Sequence, residues 1–409
     1  MHGIGLDRRQ LLVGAGALAA AGPAWAAEVA APNVLDTTPE NQAATFRNQD
    51  QTRPVRAIRR GGTVRPLPPH GRTLSGLTYA GEGGSRTVDD YMVRRRTGGL
   101  LVLKRGEVAL ERYGMGNGPE SRWTSFSTAK SMTSTLAGAA LHDGSIRSLD
   151  DPADLYLPAL KGSAYESVSV RNVLRMCSGV AWKEEYDPNG TSDVVRLGAA
   201  IAAGRPGGVV DLMRSLPRAA PQGARFNYST GETCLLGAIV AAATKRPLAD
   251  YYAEKIWGPA GMEADGYWQL ETKGGLELAG LGVSARLRDF GRFGQFVLED
   301  GVVGGGGRAL PRGWRDLAGQ PDVEATGFGR LQPGYPLGYG YQWWVLPRAA
   351  GSVHDGAFTA QGIFGQFVYV NPLEQVVAVV WSAWRKAWEY DAETETYALL
   401  GAAVEALRA

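Results

Sequence analysis

Strand-forming sequence in this chain is confined to two stretches far apart, and that gap limits the fold more than any other feature. Leu100 to Tyr113 shows two apolar runs around Lys104-Arg105-Gly106-Glu107, the pattern of a β-hairpin. Strand character returns at Tyr341 to Leu346, Gln366 to Val370 and Val376 to Trp381. A lone hairpin is marginal in water, so the early strands are expected to pair with the late ones. Asp150 to Lys273 lacks strand signals; Arg171 to Met176 and Leu235 to Thr244 read as helices joined by Gly/Pro loops, and Arg288 to Leu298 as another. A further helix starts at Ser127, with Met132, Leu136, Ala139 and Ala140 at helical spacing, and ends at His142-Asp143-Gly144. The last helix carries Tyr397, Leu400, Val404 and Leu407 on one face. The expected fold class is α/β, an antiparallel sheet flanked by helices with an inserted all-α domain. Residues 87–149 form the first part of the α/β domain, 150–280 the helical domain and 281–409 the second part.

Residues 1–26 read as a targeting segment rather than structure. Arg8-Arg9 precede an apolar run from Leu11 to Ala21, Gly22-Pro23 break it, and Ala24-Trp25-Ala26 offers small residues where a signal peptidase cuts. The run is short and Ala/Gly-rich, so no membrane span is expected after its removal. Twin arginines imply Tat export of a folded protein, hence a periplasmic or secreted product starting near Ala27. Residues 27–86, rich in Pro, Gly, Arg, Asn and Thr, are expected as an extended arm on the body.

Composition removes several function classes. Lys and Arg number 43 against 41 Asp and Glu, so there is no electrostatic footprint for nucleic acid. The cluster Arg53, Arg56, Arg59 and Arg60 reads as part of a solvated arm. His2, His70, His142 and His354 lack metal-ligand spacing, and Cys177 with Cys234 cannot make a zinc cage. No metal or cofactor is implied. The two cysteines could pair in an oxidising compartment, but folding before export removes the need for a staple, and both lie in apolar surroundings.

Ser127-Thr128-Ala129-Lys130 is the single Ser-x-x-Lys in the chain. At helical spacing the two side chains share a face, so the lysine amine can reach the serine hydroxyl. A helix N-terminus favours the oxyanion formed after attack. The same field, with burial, disfavours charged lysine, which lets the amine act as a base.

The surroundings of this motif form a longer pattern. Trp123 to Ser131 (WTSFSTAKS) is followed by Asp143-Gly144-Ser145-Ile146, Leu149-Asp150-Asp151-Pro152, Tyr156-Leu157-Pro158 and Val170 to Val180 (VRNVLRMCSGV). The succession resembles the class C β-lactamase and esterase family, and more closely the 6-aminohexanoate-dimer (nylon-oligomer) hydrolase group. It extends from near Thr87 to the C-terminus. The resemblance implies a β-lactamase/transpeptidase-like fold and an acyl-enzyme on Ser127. The second family motif, Tyr-x-Asn, resembles Tyr228-Ser229-Thr230, with Tyr228 as proton shuttle and threonine in place of asparagine.

The third motif, Lys-Thr-Gly, is absent; His354-Asp355-Gly356 or Ala360-Gln361-Gly362 stands in for it. By the resemblance, the Ile363 N–H would complete an oxyanion hole with that of Ser127. Gly362, His354 and Tyr186 are the expected substrate-binding residues. Tyr186 belongs to Glu184-Glu185-Tyr186-Asp187-Pro188, either a solvated acidic loop or a cleft wall suited to a substrate amine. Trp343 and Trp344 are expected to pack the sheet, with a cleft wall as the alternative. Together these residues imply a serine hydrolase acting on a small-molecule amide or ester. An α/β-hydrolase would need a Gly-x-Ser-x-Gly elbow, which does not occur. The alternative from another class is a non-catalytic, penicillin-binding-like cell-wall binding or sensing protein. Such a protein has no need of the full Ser-Lys-Tyr set.

Overall fold

The computed structural model describes residue 35 and residues 37–321 and 337–408. The early hairpin and the late strands do meet. Seven strands lie in the order Glu107–Tyr113, Thr97–Lys104, Val376–Ser382, Gln366–Asn371, Phe358–Gly362, Trp344–Val345, Gly338–Tyr339. Each neighbouring pair is antiparallel. Arg105 and Gly106 turn the first hairpin at φ of +52° and +81°, as a two-residue primed turn requires. Leu101 then sits opposite Val379, joining the two ends of the chain.

Side chains alternate between the two faces of this sheet. Leu101, Leu103, Val368, Val377 and Val379 share a core with Phe290, Phe293 and Phe296 of the helix Leu287–Leu298. Leu100, Val102, Phe367, Ala378 and Val380 share the other with Leu399, Leu400, Val404 and Leu407 of the helix Tyr390–Arg408. Helices on both faces explain why these strands are apolar at nearly every position. Burying each such Leu, Val or Phe contributes roughly 1.5–3 kcal/mol. Gly294 lets the first helix sit close, since a Cβ there would lie 2.5 Å from Val377 Cγ1.

A second, four-stranded sheet has the order Val55–Ile58, Gly266–Gln269, Val283–Arg286, Arg122–Thr124. It corrects two expectations. Within the expected arm, 27–86, the described residues 37–86 are not simply extended: they supply the first strand of this sheet, the helices Gln42–Arg47 and Gln49–Thr52, and a separate hairpin, Thr78–Gly81 with Gly84–Thr87. The helical stretch is likewise crossed by the strand Gly266–Gln269. These strands have four residues each, too few to show alternation; Val55–Ile58 and Gly266–Gln269 are held by each other across more than 200 residues, and the hairpin strands pair locally. The helix Thr128–His142, buried from Thr128 to Ala140, packs on the strand Phe358–Gly362 of the seven-stranded sheet and against the helix Thr230–Thr244. The expected leader, residues 1–26, lies outside the described residues. Among the described residues no helix is long and apolar enough to cross a membrane.

Candidate active site

Ser127 stands where the strand Arg122–Thr124 runs into the central helix. Ser125 anchors the junction: its N–H donates to Val283 O at 2.6 Å, and the Val283 N–H donates to Ser125 Oγ at 3.0 Å. Phe126 then takes φ of +44°, the left-handed region that a bulky residue seldom adopts. The rings of Phe46 and Phe364, 4.8 and 5.5 Å away, hold it there. Phe46 comes from the segment expected to be a mere arm. Ser127 is the N-cap residue of Thr128–His142 but spends no side-chain hydrogen bond on capping. Its hydroxyl is left for other partners.

One of these is Lys130, 1% exposed. Its Nζ lies 2.8 Å from Ser127 Oγ and donates to Gly280 O at 2.9 Å. Protonated, the amine donates to Oγ; neutral, its lone pair can take the hydroxyl proton. Burial lowers the lysine pKa to about 8, with the Glu184 charge opposing. The hydroxyls of this buried helix fasten the walls of the site. Thr133 donates to Ala279 O at 2.8 Å, Ser131 to Gln342 O and Ser134 to Tyr341 O, both at 2.6 Å. Gly280 accepts the lysine where no larger residue fits, since a Cβ there would lie 2.6 Å from Thr230 O.

Tyr228 reaches Ser127 from the helical block. Asn227 fixes the preceding turn, its N–H donating to Met176 O at 2.9 Å. Ser229 then caps Thr230–Thr244, its Oγ accepting from the Glu232 N–H at 3.1 Å. The Tyr228 ring lies 5.0 Å from Lys130 Nζ and stacks on Trp344, with centroids 5.4 Å apart. Burial, with the Glu184 charge, pushes the phenol pKa well up, while a hydrogen bond to Ser127 opposes. The phenol therefore stays protonated.

Trp343 packs the core as expected, stacked on Phe293, but Trp344 is a wall of the site. Trp343 directly precedes the strand Trp344–Val345, and the two adjacent rings lie in the two different cores. Glu184 belongs to the loop read as either solvated or a cleft wall. It points inward and accepts from Trp182 Nε1, from the Tyr186 hydroxyl at 2.8 Å, and from Thr230 N–H and Oγ1 at 2.9 and 2.5 Å. Tyr186, half-buried, lies within the electrostatic reach of Tyr228 and Tyr339.

Of the two stand-ins for the third motif, the strand ending at Gly362 is the one beside Ser127. A Cβ at Gly362 would lie 2.7 Å from Ser125 O and 3.1 Å from the Ser127 nitrogen. Ile363, buried, follows directly. His354 is elsewhere, which corrects its expected place among substrate-binding residues. Its ring nitrogens lie 3.0 Å from the Tyr369 hydroxyl and 3.2 Å from Tyr397 O, tying the sheet to the C-terminal helix. Cys177 and Cys234 are buried and are not joined in a disulfide. Among the described residues no group of His, Cys, Asp and Glu could hold a metal ion.

The sequence pattern described as Beta-lactamase matches residues 85–403. The chain belongs to the β-lactamase family. A 6-aminohexanoate-dimer hydrolase of Paenarthrobacter ureafaciens is 30% identical over 294 residues, 70% of this chain and 73% of that one. Among solved structures, a Bacillus anthracis protein assigned as a 6-aminohexanoate-dimer hydrolase superposes with a TM-score of 0.81 at 22% identity, covering 93% of this chain and 97% of its own. A family VIII carboxylesterase gives a TM-score of 0.58 at 14% identity over 78% and 96% of the chains. The fold is thus that of the β-lactamases and transpeptidases, and the protein is a serine hydrolase of that family.

Proposed function

We propose that this enzyme cleaves a small amide or ester through an acyl-enzyme on Ser127, with Lys130 and Tyr228 relaying the proton. The observation that carries the reading is the lysine amine 2.8 Å from Ser127 Oγ, its pKa lowered to about 8 by burial. Neutral Lys130 takes the hydroxyl proton as Oγ attacks the carbonyl carbon. The N–H groups of Ser127 and Ile363 face the oxyanion. Tyr228, protonated, gives its proton to the leaving nitrogen or oxygen and is reprotonated from the Lys130 ammonium. Water then cleaves the acyl-enzyme by the reverse relay.

Two features favour linear amides over β-lactams. The strand Phe358–Gly362 carries no lysine to meet a β-lactam carboxylate. The Tyr186 hydroxyl donates to Glu184, so its oxygen can accept from the N–H of a scissile amide. The named substrate of the relatives, the 6-aminohexanoate dimer, is such an amide. The twin-arginine leader would deliver the folded enzyme to the periplasm or medium.

The test is a fluorophosphonate probe on the mature protein, with the adduct mapped by peptide mass spectrometry, beside a panel of linear amides, short esters, D-amino-acid peptides and β-lactams. Labelling at Ser127 that Ser127→Ala abolishes is expected, with slow β-lactam turnover. Labelling that survives the substitution would refute the assignment. No labelling or turnover at all would favour the non-catalytic binding protein.

A further inference from the structure

Glu184 is more heavily engaged than a substrate-facing carboxylate would be. Its two oxygens receive four donors from two separate segments, and the donors differ in kind. Oε2 accepts from Trp182 Nε1 and the Thr230 N–H. Neither of these groups can ever accept a hydrogen bond. Oε1 accepts from the Tyr186 and Thr230 hydroxyls, which can donate or accept. Both hydroxyls donate toward that oxygen, since a carboxylate only accepts. The Tyr186 proton is therefore committed to Glu184, and only oxygen lone pairs remain to face the substrate.

We infer that Glu184 is the positioning residue that makes this enzyme an amidase, by holding Tyr186 as an acceptor for the scissile N–H and by fastening the Tyr186 loop to the Tyr228-Ser229-Thr230 turn. The inference rests on the amide or ester reading of the Ser127 site. An amide N–H bonded to Tyr186 turns the nitrogen lone pair away from that oxygen and toward the proton donor Tyr228. An ester oxygen has no proton to offer, so the arrangement does nothing for it. Thr230, where the family motif has asparagine, meets the loop through Glu184.

Glu184→Gln tests this with almost no change of shape. The donor-only partners at Oε2 require the glutamine oxygen there, which puts the NH2 at the Oε1 position. The amide then donates to Tyr186, whose proton is turned outward and meets the substrate N–H as a like group. The readout is the ratio of kcat/KM for the 6-aminohexanoate dimer to that for p-nitrophenyl acetate. That ratio should fall about ten-fold or more in Glu184→Gln, and by a similar factor in Tyr186→Phe. In the Tyr186→Phe background, adding Glu184→Gln should change it by less than about two-fold, because the two residues act as one unit. An unchanged ratio in Glu184→Gln, or an equal fall in both backgrounds, overturns the inference. So does an unchanged ratio in Tyr186→Phe, which leaves Glu184 in place and decides the matter if the glutamine variant does not fold. Wild-type enzyme that labels at Ser127 and cleaves the ester but not the dimer also overturns it, and leaves the Ser127 reading standing. Absence of both labelling and ester turnover refutes that reading itself.

Discussion

The state of Lys130 gives the mechanism its most exposed prediction. A base must be neutral, and a lysine whose pKa is about 8 is neutral in roughly 1% of molecules at pH 6, a tenth at pH 7 and half at pH 8. The specificity constant for an ester should therefore rise about ten-fold per pH unit up to pH 7 and level off above pH 8. The groups acting on Lys130 make this limb movable in a stated direction. Cys234 is a neutral thiol across the range, its pKa pushed up to about 11 by burial, and the Tyr228 phenol stays protonated. Glu184 supplies the opposing charge. Removing it in Glu184→Gln should favour the neutral amine and shift the limb to lower pH. Lys130→Arg keeps the charge but supplies no base, and should lose about 10²–10⁴-fold in kcat/KM. Stopped-flow kcat/KM between pH 5.5 and 9.5, with buffers held at constant ionic strength, provides the check. A profile flat from pH 6 to 8, or near-normal turnover in Lys130→Arg, would mean that the lysine acts as a fixed charge and the base lies elsewhere.

Two further substitutions probe the frame around that base. Gly362→Ala would place a Cβ 2.7 Å from the Ser125 carbonyl; displacing that strand should lower kcat by about 10²–10³, as loss of an oxyanion donor does, and normal turnover would remove Gly362–Ile363 from the site. Glu232 is buried with Oε2 unpartnered, and burial raises its pKa to about 8. A carboxyl raised in this way contributes stability that is full below pH 4.5 and is lost as pH rises through 8, at up to roughly 1.4 kcal/mol per pH unit. Urea midpoints of Glu232→Gln should fall less than wild type between pH 5 and 8, and parallel curves would refute the assignment.

What could be read in advance depended on how local the determinant was. Ser127 and Lys130 are one turn apart on one helix, so their meeting is written in four consecutive residues. The long strands and the amphipathic last helix were legible for the same reason. The strands Val55–Ile58 and Gly266–Gln269 were not, because each is held by the other across the chain. Glu184 is instructive in another way. Beside Glu185 and Asp187 it looks like part of a solvated acidic loop, and only the donors converging from Trp182 and Thr230 turn it inward. His354 shows the converse: a histidine in a glycine-bearing turn suggested chemistry, but its ring is occupied by Tyr369 and Tyr397.

The same distinction between local and assembled features bears on how substrate choice can vary in such an enzyme. In the proposed mechanism reactivity would need Ser127, Lys130 and the Gly280 carbonyl, all fixed by the central helix and by Thr133, whose hydroxyl holds Ala279. In the same proposed reading, selectivity toward the leaving group rests on Tyr186 and Glu184, which belong to a loop of the helical block tied to Thr230 by hydrogen bonds. A change at Glu184 or Thr230 can therefore reverse the polarity of the Tyr186 hydroxyl while Lys130 Nζ keeps its 2.8 Å approach to Ser127. The cost of such a change is confined to a few exchangeable hydrogen bonds, each worth about 0.5–1.5 kcal/mol net, and the sheet core is not involved. Amide and ester cleavage can thus diverge on this scaffold without any loss of the nucleophile or of the fold that carries it.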